Sequence, residues 1–317
     1  MSGDLIVAVP SKGRLKDQVE AWLADCGIPL RISGGARGYL ATLQGTPGVQ
    51  VRLLSAGDIA EALSAGEIHL GVTGEDLLRE TGPGMEARIL LLRALGFGRA
   101  DLVVAAPKSW LDVDGMADLE EVAHDYLART GRRMRVATKY LAQTRGFFAR
   151  HGVVDYRIAE SGGATEGAPA AGAAEVVVDI TTTGATLAAN GLKILSDGVI
   201  LKSQAQFAAS MKAAWSEEQL ASAERLLRIT EARAAALEST TLVWPQTGEP
   251  AERDTVDALV VKGAVRRPGG LLIAADQAAA AALSLTAAGL GPVTVAQPAF
   301  VYEVSCAPLE TLRARHI

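Results

Sequence analysis

Two rhythms of apolar residues alternate along this chain. Short continuous apolar runs read as buried strands, and stretches with apolar residues every three or four positions read as helices. Residues 5–10 (LIVAVP) are the first such strand. Residues 15–26 form an amphipathic helix with Val19, Trp22 and Leu23 on one face and Gly27 as its stop. The pattern predicts strands at 39–43 and 49–54 around the turn Gly45-Thr46-Pro47-Gly48, a helix at 59–63, a strand at 68–72 and a helix opening near Glu75. It continues with strands at 89–94 and 102–106, a helix at 116–129, a strand at 134–137, a helix at 140–151 and a strand at 156–159. Ser216 and Gln219 have capping-box spacing, and Leu220, Leu227 and Leu237 carry a long helix over 216–237. The tail reads as strand 240–244, helix 253–261, strand 271–274, helix 277–288, strands 293–296 and 300–305, and a short helix from Pro308. That order is βαβαββα.

Alternating strands and helices imply an α/β fold of parallel-rich sheets, with ligands bound beyond the carboxyl ends of strands. The strand at 102 starts a second set. The chain is therefore expected to cross between lobes near 96–101 and to return after Asn190, with strands at 193–196 and 199–202 completing the first sheet. The expected division is a first lobe of 1–98 and 189–215 and a second lobe of 99–188. Residues 216–317 are then a linker helix and a C-terminal regulatory or assembly domain.

The most informative stretch is 166–187, EGAPAAGAAEVVVDITTTGATL. A short strand (Val176, Val177, Val178) ends in Asp179. A loop of Thr181, Thr182, Thr183 and Gly184 follows, and a helix opens near Ala185 with Thr186 in its first turn. Such a loop presents unpaired backbone N–H groups, hydroxyls and the positive end of a helix dipole, which together hold a phosphate. An acid beside it suits sugar hydroxyls or a metal ion, so the loop points to a phosphorylated sugar.

Other strand ends carry chemistry too. Lys12-Gly13-Arg14 places two cations around a glycine, suited to a polyphosphate; a solvated turn is the plainer account of it alone. Arg37 lies among glycines at 34–38, free to neutralise a leaving group or to be an ordinary surface arginine. Thr73-Gly74-Glu75-Asp76 is sufficiently explained as a helix start with acids in its first turn. Asp101 opens a strand. Thr138-Lys139-Tyr140 follows one and can meet a nucleobase or phosphate, or simply cap a helix.

Composition narrows the class. The chain has 317 residues, 49% of them hydrophobic and 21% charged, enough for two or three domains with their own cores. A net charge of −5 argues against a nucleic-acid surface. Cys26 and Cys306 form no metal or redox motif and suit a reducing cytoplasm. The first apolar run is too short for a signal peptide, and no run of about 18 apolar residues suggests a membrane span. The four histidines have no ligand or triad spacing, and no P-loop or dinucleotide fingerprint occurs.

Taken together, these motifs resemble the ATP phosphoribosyltransferase family, which opens histidine biosynthesis. The resemblance rests on Glu166, Gly172, Ala174, Val177, Asp179, Ile180, Thr183, Gly184, Thr186 and Leu187, with Asn190-Gly191-Leu192 continuing it. Ser11-Lys12-Gly13-Arg14-Leu15, residues 70–76, Asp101-Leu102-Val103 and Ala137-Thr138-Lys139-Tyr140 support it, so that it spans about residues 4–215. It implies a two-lobed catalytic region like a type II periplasmic binding protein, with the site in the cleft. The implied reaction joins adenine N1 of ATP to C1 of phosphoribosyl pyrophosphate (PRPP), with Mg²⁺ bound mainly through PRPP.

The resemblance also assigns roles. Thr181, Thr182, Thr183, Gly184, Ala185 and Thr186 would line the 5-phosphate, and Glu166 and Asp179 would face the ribose or its oxocarbenium-like centre. Lys12, Arg14 and Arg37 would neutralise pyrophosphate, with Gly13, Asp101, Lys139 and Tyr140 as further substrate contacts. The chain departs from the family with Glu175 where Asp is frequent, Leu141 where Pro is frequent, and Ser55 or Arg52 where an Arg precedes an acid. Long members end in a ferredoxin-like βαββαβ domain that binds histidine, whereas short members use a subunit resembling histidyl-tRNA synthetase. The order read here for 239–317 matches neither. A homo-oligomer with L-histidine as inhibitor, or with such a subunit, is what the resemblance implies. The same fold also serves solute-binding proteins without turnover, and a Thr-Gly-x-Thr loop also serves transferases acting on a free base.

Overall fold

In a computed structural model, which describes residues 3–32 and 40–316, the chain forms three sheets. The first lobe contains β1 (Leu5–Pro10), β2 (Leu30–Ile32), β3 (Leu40–Leu43), β4 (Val49–Leu54), β5 (Leu70–Gly74) and β6 (Ile89–Ala94). The second contains β7 (Ala100–Pro107), β8 (Met134–Thr138), β9 (Tyr156–Glu160), β10 (Val176–Thr181) and β11 (Leu192–Ser203). The chain then returns to the first sheet with β12 (Ala205–Ser210), giving the orders β2-β3-β4-β1-β5-β12-β6 and β11-β7-β10-β8-β9. This is the two-lobed, type II periplasmic-binding-protein-like α/β fold expected, with a further C-terminal α/β domain.

Alternation along each strand builds a core on both faces of the first two sheets. Leu5, Val7 and Val9 of β1 face one cluster and Ala8 the other. Leu102, Val104 and Ala106 of β7 face one cluster, and Val103 and Ala105 the opposite one. The helices that cover these faces are α1 (Gly13–Asp25), α2 (Ala56–Ala65), α3 (Glu75–Glu80), α4 (Met85–Arg88), α5 (Met116–Thr130), α6 (Leu141–Arg150) and the short α7 (Ala185–Ala189).

One strand assignment changes. Residues 193–196 and 199–202 are part of the single strand β11, which pairs antiparallel with β7 in the second sheet. The second crossing therefore falls at Gln204, and the strand that completes the first sheet is β12, paired antiparallel with β5 and β6. Neither stretch's apolar pattern names its partner, so only the pairing decides which sheet each joins.

The long helix α8 (Glu217–Leu237) starts as expected. The Ser216 hydroxyl accepts from the Gln219 N–H at 3.2 Å, and the Gln219 side chain accepts from the Ser216 N–H at 2.9 Å. After it come β13 (Ser239–Val243), α9 (Pro250–Val261), β14 (Val265–Arg267), β15 (Gly270–Ala274), α10 (Ala278–Ala287), β16 (Thr294–Ala296) and α11 (Ala307–His316). The order is thus βαββαβ plus a helix, not βαβαββα. The antiparallel sheet β14-β15-β13-β16 has ferredoxin-like topology.

Two misread segments explain the difference. β14 is only three residues long, and its hairpin turns on Pro268-Gly269, with φ +78° at Gly269. Residues 300–305 alternate like a strand but form none. Their backbone partners lie on α8, where Val301 N–H donates to the Ala232 carbonyl at 2.9 Å and Arg228 donates to the Val304 carbonyl at 3.2 Å. α11 then leaves the tail altogether, and its Leu309 and Leu312 join the first lobe's core beside Leu226 and Leu5.

His69 is structural. Its Nδ1 accepts from the Ile6 N–H at 3.1 Å, and its Nε2 lies 3.1 Å from the Ala214 carbonyl, so the neutral Nε2–H tautomer satisfies both. Burial, above all, lowers its pKa from the ordinary 6.5. The unfolded chain then takes up a proton first as pH falls. His69's contribution to stability is complete above the unfolded value and is lost as pH falls through about 6.5 toward the lower native value. His69→Gln should flatten the fall in stability between about pH 7 and pH 5; equal slopes in urea unfolding would contradict this.

Candidate active site

The loop after β10 closes a cavity of about 360 Å³ lined by Glu166, Asp179, Thr181, Thr182, Thr183 and Thr186 of the second lobe and by Arg14 of the first. Alternation along β10 puts Val176 and Val178 into the core shared with α5 and α6, and Val177 on the opposite face with Leu187. Asp179 and Thr181 follow Val177 onto that opposite face. The loop holds its own shape. The Thr181 hydroxyl accepts from the Gly184 N–H at 2.8 Å and the Thr183 hydroxyl from the Ala185 N–H at 3.4 Å. Each hydroxyl keeps its hydrogen for an outside acceptor. Among the described residues, the N–H groups of Thr182 and Thr183 donate to no protein acceptor.

α7 starts at Ala185 as anticipated but runs only to Ala189, so its dipole is weaker than that of a long helix. Hydroxyls and free N–H groups, more than the dipole, are what the loop offers to an acceptor. Gly184 has φ +74° and Gly13 φ +77°, a backbone region costly for other residues, and each opens a helix beside the cavity.

Arg14 reaches across the cleft, with Nη2 donating to the Thr182 hydroxyl at 3.5 Å, and that hydroxyl donates to the Arg99 carbonyl at 3.4 Å. Lys12 is the exposed residue before α1. Asp101 lies opposite Thr181 in the β7–β10 register. Burial, above all, raises the Asp179 pKa, and the nearby Glu166 charge adds to this; the Ile180 N–H, at 2.8 Å, and Lys139 oppose it. Two carboxylates, Glu166 and Asp179, and Arg14 thus line one cavity, and the Lys139 charge acts on it through Asp179. Ala100, Ile180 and Leu187 complete the lining, and apolar side chains carry no chemical signal by which a sequence could single them out.

Tyr140 stands apart from this group. It is fully buried, and its hydroxyl donates to Asp76 at 2.7 Å, so the substrate contact expected of it is replaced by one between lobes. Arg37 lies outside the described residues. Glu175 faces away from the cavity and binds Arg135 through Oε1 at 2.6 Å and Oε2 at 3.2 Å, and accepts the Tyr126 hydroxyl at 3.1 Å. Its departure from the family pattern is thus a matter of packing between β8 and β10.

A family model described as ATP phosphoribosyltransferase matches residues 55–231, more than half of the chain. The chain belongs to the ATP phosphoribosyltransferase family. An ATP phosphoribosyltransferase from Caulobacter vibrioides (strain NA1000 / CB15N) is 66% identical over 310 residues, covering 98% of this chain and 97% of that protein. One from Bradyrhizobium sp. (strain ORS 278) is 57% identical over 236 residues, covering 74% and 73%. Among solved structures, the ATP phosphoribosyl transferase (HisG:HisZ) complex from Thermotoga maritima matches at 25% identity and a TM-score of 0.54, over 72% of this chain and 98% of that one.

This ATP phosphoribosyltransferase condenses ATP, through adenine N1, with PRPP to give N1-(5-phosphoribosyl)-ATP and pyrophosphate, the first step of L-histidine biosynthesis. The family membership displaces both a binding protein without turnover and a transferase acting on a free base. No helix among the described residues is long and apolar enough to cross a membrane.

Proposed function

We propose that PRPP lies along the second lobe with its 5-phosphate on residues 181–186, its ribose at Glu166 and Asp179, and its pyrophosphate toward Lys12 and Arg14. The observation that carries this reading is the Arg14–Thr182 contact at 3.5 Å, which sets a cation of one lobe against the phosphate loop of the other. ATP enters the same cleft, with Asp101 and Lys139 of the second lobe as its contacts. Adenine N1 holds a lone pair, so it attacks C1 without prior loss of a proton. The C1–O bond to pyrophosphate breaks, its electrons leave with pyrophosphate, and fixed cations stabilise that charge as it develops. Glu166 and Asp179 face the positive charge that gathers at C1. Arg37 is assigned to the same leaving group as Arg14.

The divalent ion is proposed to be Mg²⁺. Among the described residues no cluster of three or more His, Cys, Asp or Glu side chains is arranged to hold a metal. Glu166 and Asp179 offer oxygen donors suited to a hard cation that keeps its waters and phosphate oxygens. When bound, Mg²⁺ neutralises pyrophosphate charge, and the protein's share is to receive the ion on PRPP.

The protein should form a UV-absorbing adduct from ATP and PRPP when pyrophosphatase and Mg²⁺ are present. Thr183→Val keeps the shape of the side chain but removes a hydroxyl, and is expected to weaken PRPP binding by roughly 10-fold, the worth of one hydrogen bond to a charged group. Wild-type affinity in that variant would remove the loop from the site.

Control by L-histidine is proposed to act through the ferredoxin-like tail, in a cytoplasmic homo-oligomer that needs no separate regulatory subunit. The tail's βαββαβ order, the one ascribed above to the family's long members, supports this. Histidine titrated into the purified protein should release heat and lower turnover. No heat and unchanged turnover would sink the idea and point to a separate subunit resembling histidyl-tRNA synthetase.

A further inference from the structure

The lobes meet a second time, between α3 of the first and the start of α6 in the second, and Thr73-Gly74-Glu75-Asp76 supplies half of that joint. Asp76 is buried. Its Oδ2 accepts the Tyr140 hydroxyl at 2.7 Å and its Oδ1 the Ser203 hydroxyl at 2.8 Å. Ser203 ends β11, next to the second crossing at Gln204, and its Oγ also accepts the Asp76 N–H at 3.0 Å. Asp76 Oδ1 occupies the space a side chain at Gly74 would need, which accounts for the glycine. Thr73, fully buried, donates to the Ala56 carbonyl at 2.7 Å, and Glu75 accepts from Gln206 at 2.8 Å. The whole motif is thus engaged with protein.

One turn on, the Glu80 carboxylate crosses to the other lobe. It accepts the Ala142 N–H at 2.7 Å and the Gln143 N–H at 3.2 Å, and Gln143 returns a bond from Nε2 to the Asp76 carbonyl at 2.8 Å. Free N–H groups at a helix start attract an anion, and here a first-lobe carboxylate fills them. Burial, then the Asp76 charge, raises the Tyr140 pKa, so its hydroxyl stays a donor. Lys139 is the preceding residue. Its Nζ lies 5.0 Å from the Tyr140 ring centre, and its charge acts on Asp179.

We propose that Asp76, Glu80 and Tyr140 are positioning residues for phosphoribosyl transfer, a buried clasp that fixes the second lobe against the first. The clasp aligns Lys12 and Arg14 of the first lobe with the Thr181–Thr186 loop of the second. It touches no substrate and acts only through the relation between the two halves of the site. The proposal rests on PRPP occupying that loop.

A positioning role separates turnover from binding. Tyr140→Phe removes one hydroxyl and keeps the ring. It should lower kcat by roughly 10-fold or more, because small misalignments of reacting groups are costly, while the equilibrium Kd for PRPP, whose 5-phosphate and ribose are held by the second lobe alone, stays within about twofold. Glu80→Gln keeps an acceptor and should lose less than Glu80→Ala. Two results overturn the clasp: folded Tyr140→Phe and Glu80→Ala with kcat within about twofold of wild type, or a PRPP Kd that rises in step with the loss of kcat. If Tyr140→Phe does not fold, the graded Glu80 pair decides. Wild-type PRPP affinity in Thr183→Val would instead fault the loop assignment, leaving the two failures distinct.

Discussion

Arg14→Ala is expected to lower kcat by roughly 10²-fold, with a smaller rise in the Kd for PRPP. Arg14 follows the left-handed Gly13 at the start of α1, so its backbone is fixed while its exposed guanidinium spans the cleft to Thr182. The pyrophosphate ester bond breaks heterolytically, and negative charge grows on the leaving oxygen only as the transition state is approached. A cation placed there stabilises the transition state more than bound PRPP, which is why kcat should suffer more than affinity. Arg14→Lys keeps the charge but loses the planar fork, and should recover part of the rate. Steady-state kinetics with equilibrium PRPP binding make the comparison. A kcat within about threefold of wild type in Arg14→Ala would remove Arg14 from leaving-group stabilisation.

Leu312→Ala is expected to destabilise the protein by about 2–5 kcal/mol and to do so in the catalytic first lobe, although the residue lies near the C-terminus. Leu312 is fully buried in a core shared with Leu5, Val7 and Leu226, and truncating it there leaves a cavity between close-packed strands and α8. α11 is held in place at its polar side as well. Arg313 pairs with Glu224 at 2.7 Å, and Arg315 donates to the Glu86 carbonyl at 3.0 Å. The tail has its own core around Leu242, Leu271 and Leu285. Hydrogen exchange should show strands β1 and β4 losing protection in Leu312→Ala, and β13 and β15 losing it in Leu285→Ala. The reverse pattern would mean that α11 belongs to the tail.

Most strands and helices were legible because their signals are local. Val176-Val177-Val178 before Asp179 can only be a short buried strand ending in an acid, and Ser216 with Gln219 marks a helix start without help from elsewhere. The strand–loop–helix shape around Thr181–Gly184 was legible for the same reason, since hydroxyls, glycine and the following helix are neighbours in sequence. Tyr140 was harder. A tyrosine beside a lysine at a strand end looks the same whether its hydroxyl meets a ligand or an aspartate 64 residues away. Residues 300–305 misled for a related reason: an alternating segment satisfies its backbone on a sheet or, as here, against a carbonyl and a side chain of a helix.

The sequence by itself determined the family, and it placed a hydroxyl-rich loop with an acid beside it after one strand and two cations after the first. These follow from residue type and spacing within a few positions. Only the tertiary structure decided that β11 belongs to the second sheet and β12 to the first, that β14 makes the tail ferredoxin-like, and that α11 returns to the first lobe. It also turned the acids at the start of α3 into a joint between lobes. Each of these depends on pairing between segments far apart in the chain, where several partners offer similar apolar area and the choice is settled by register, burial and the satisfaction of buried polar groups.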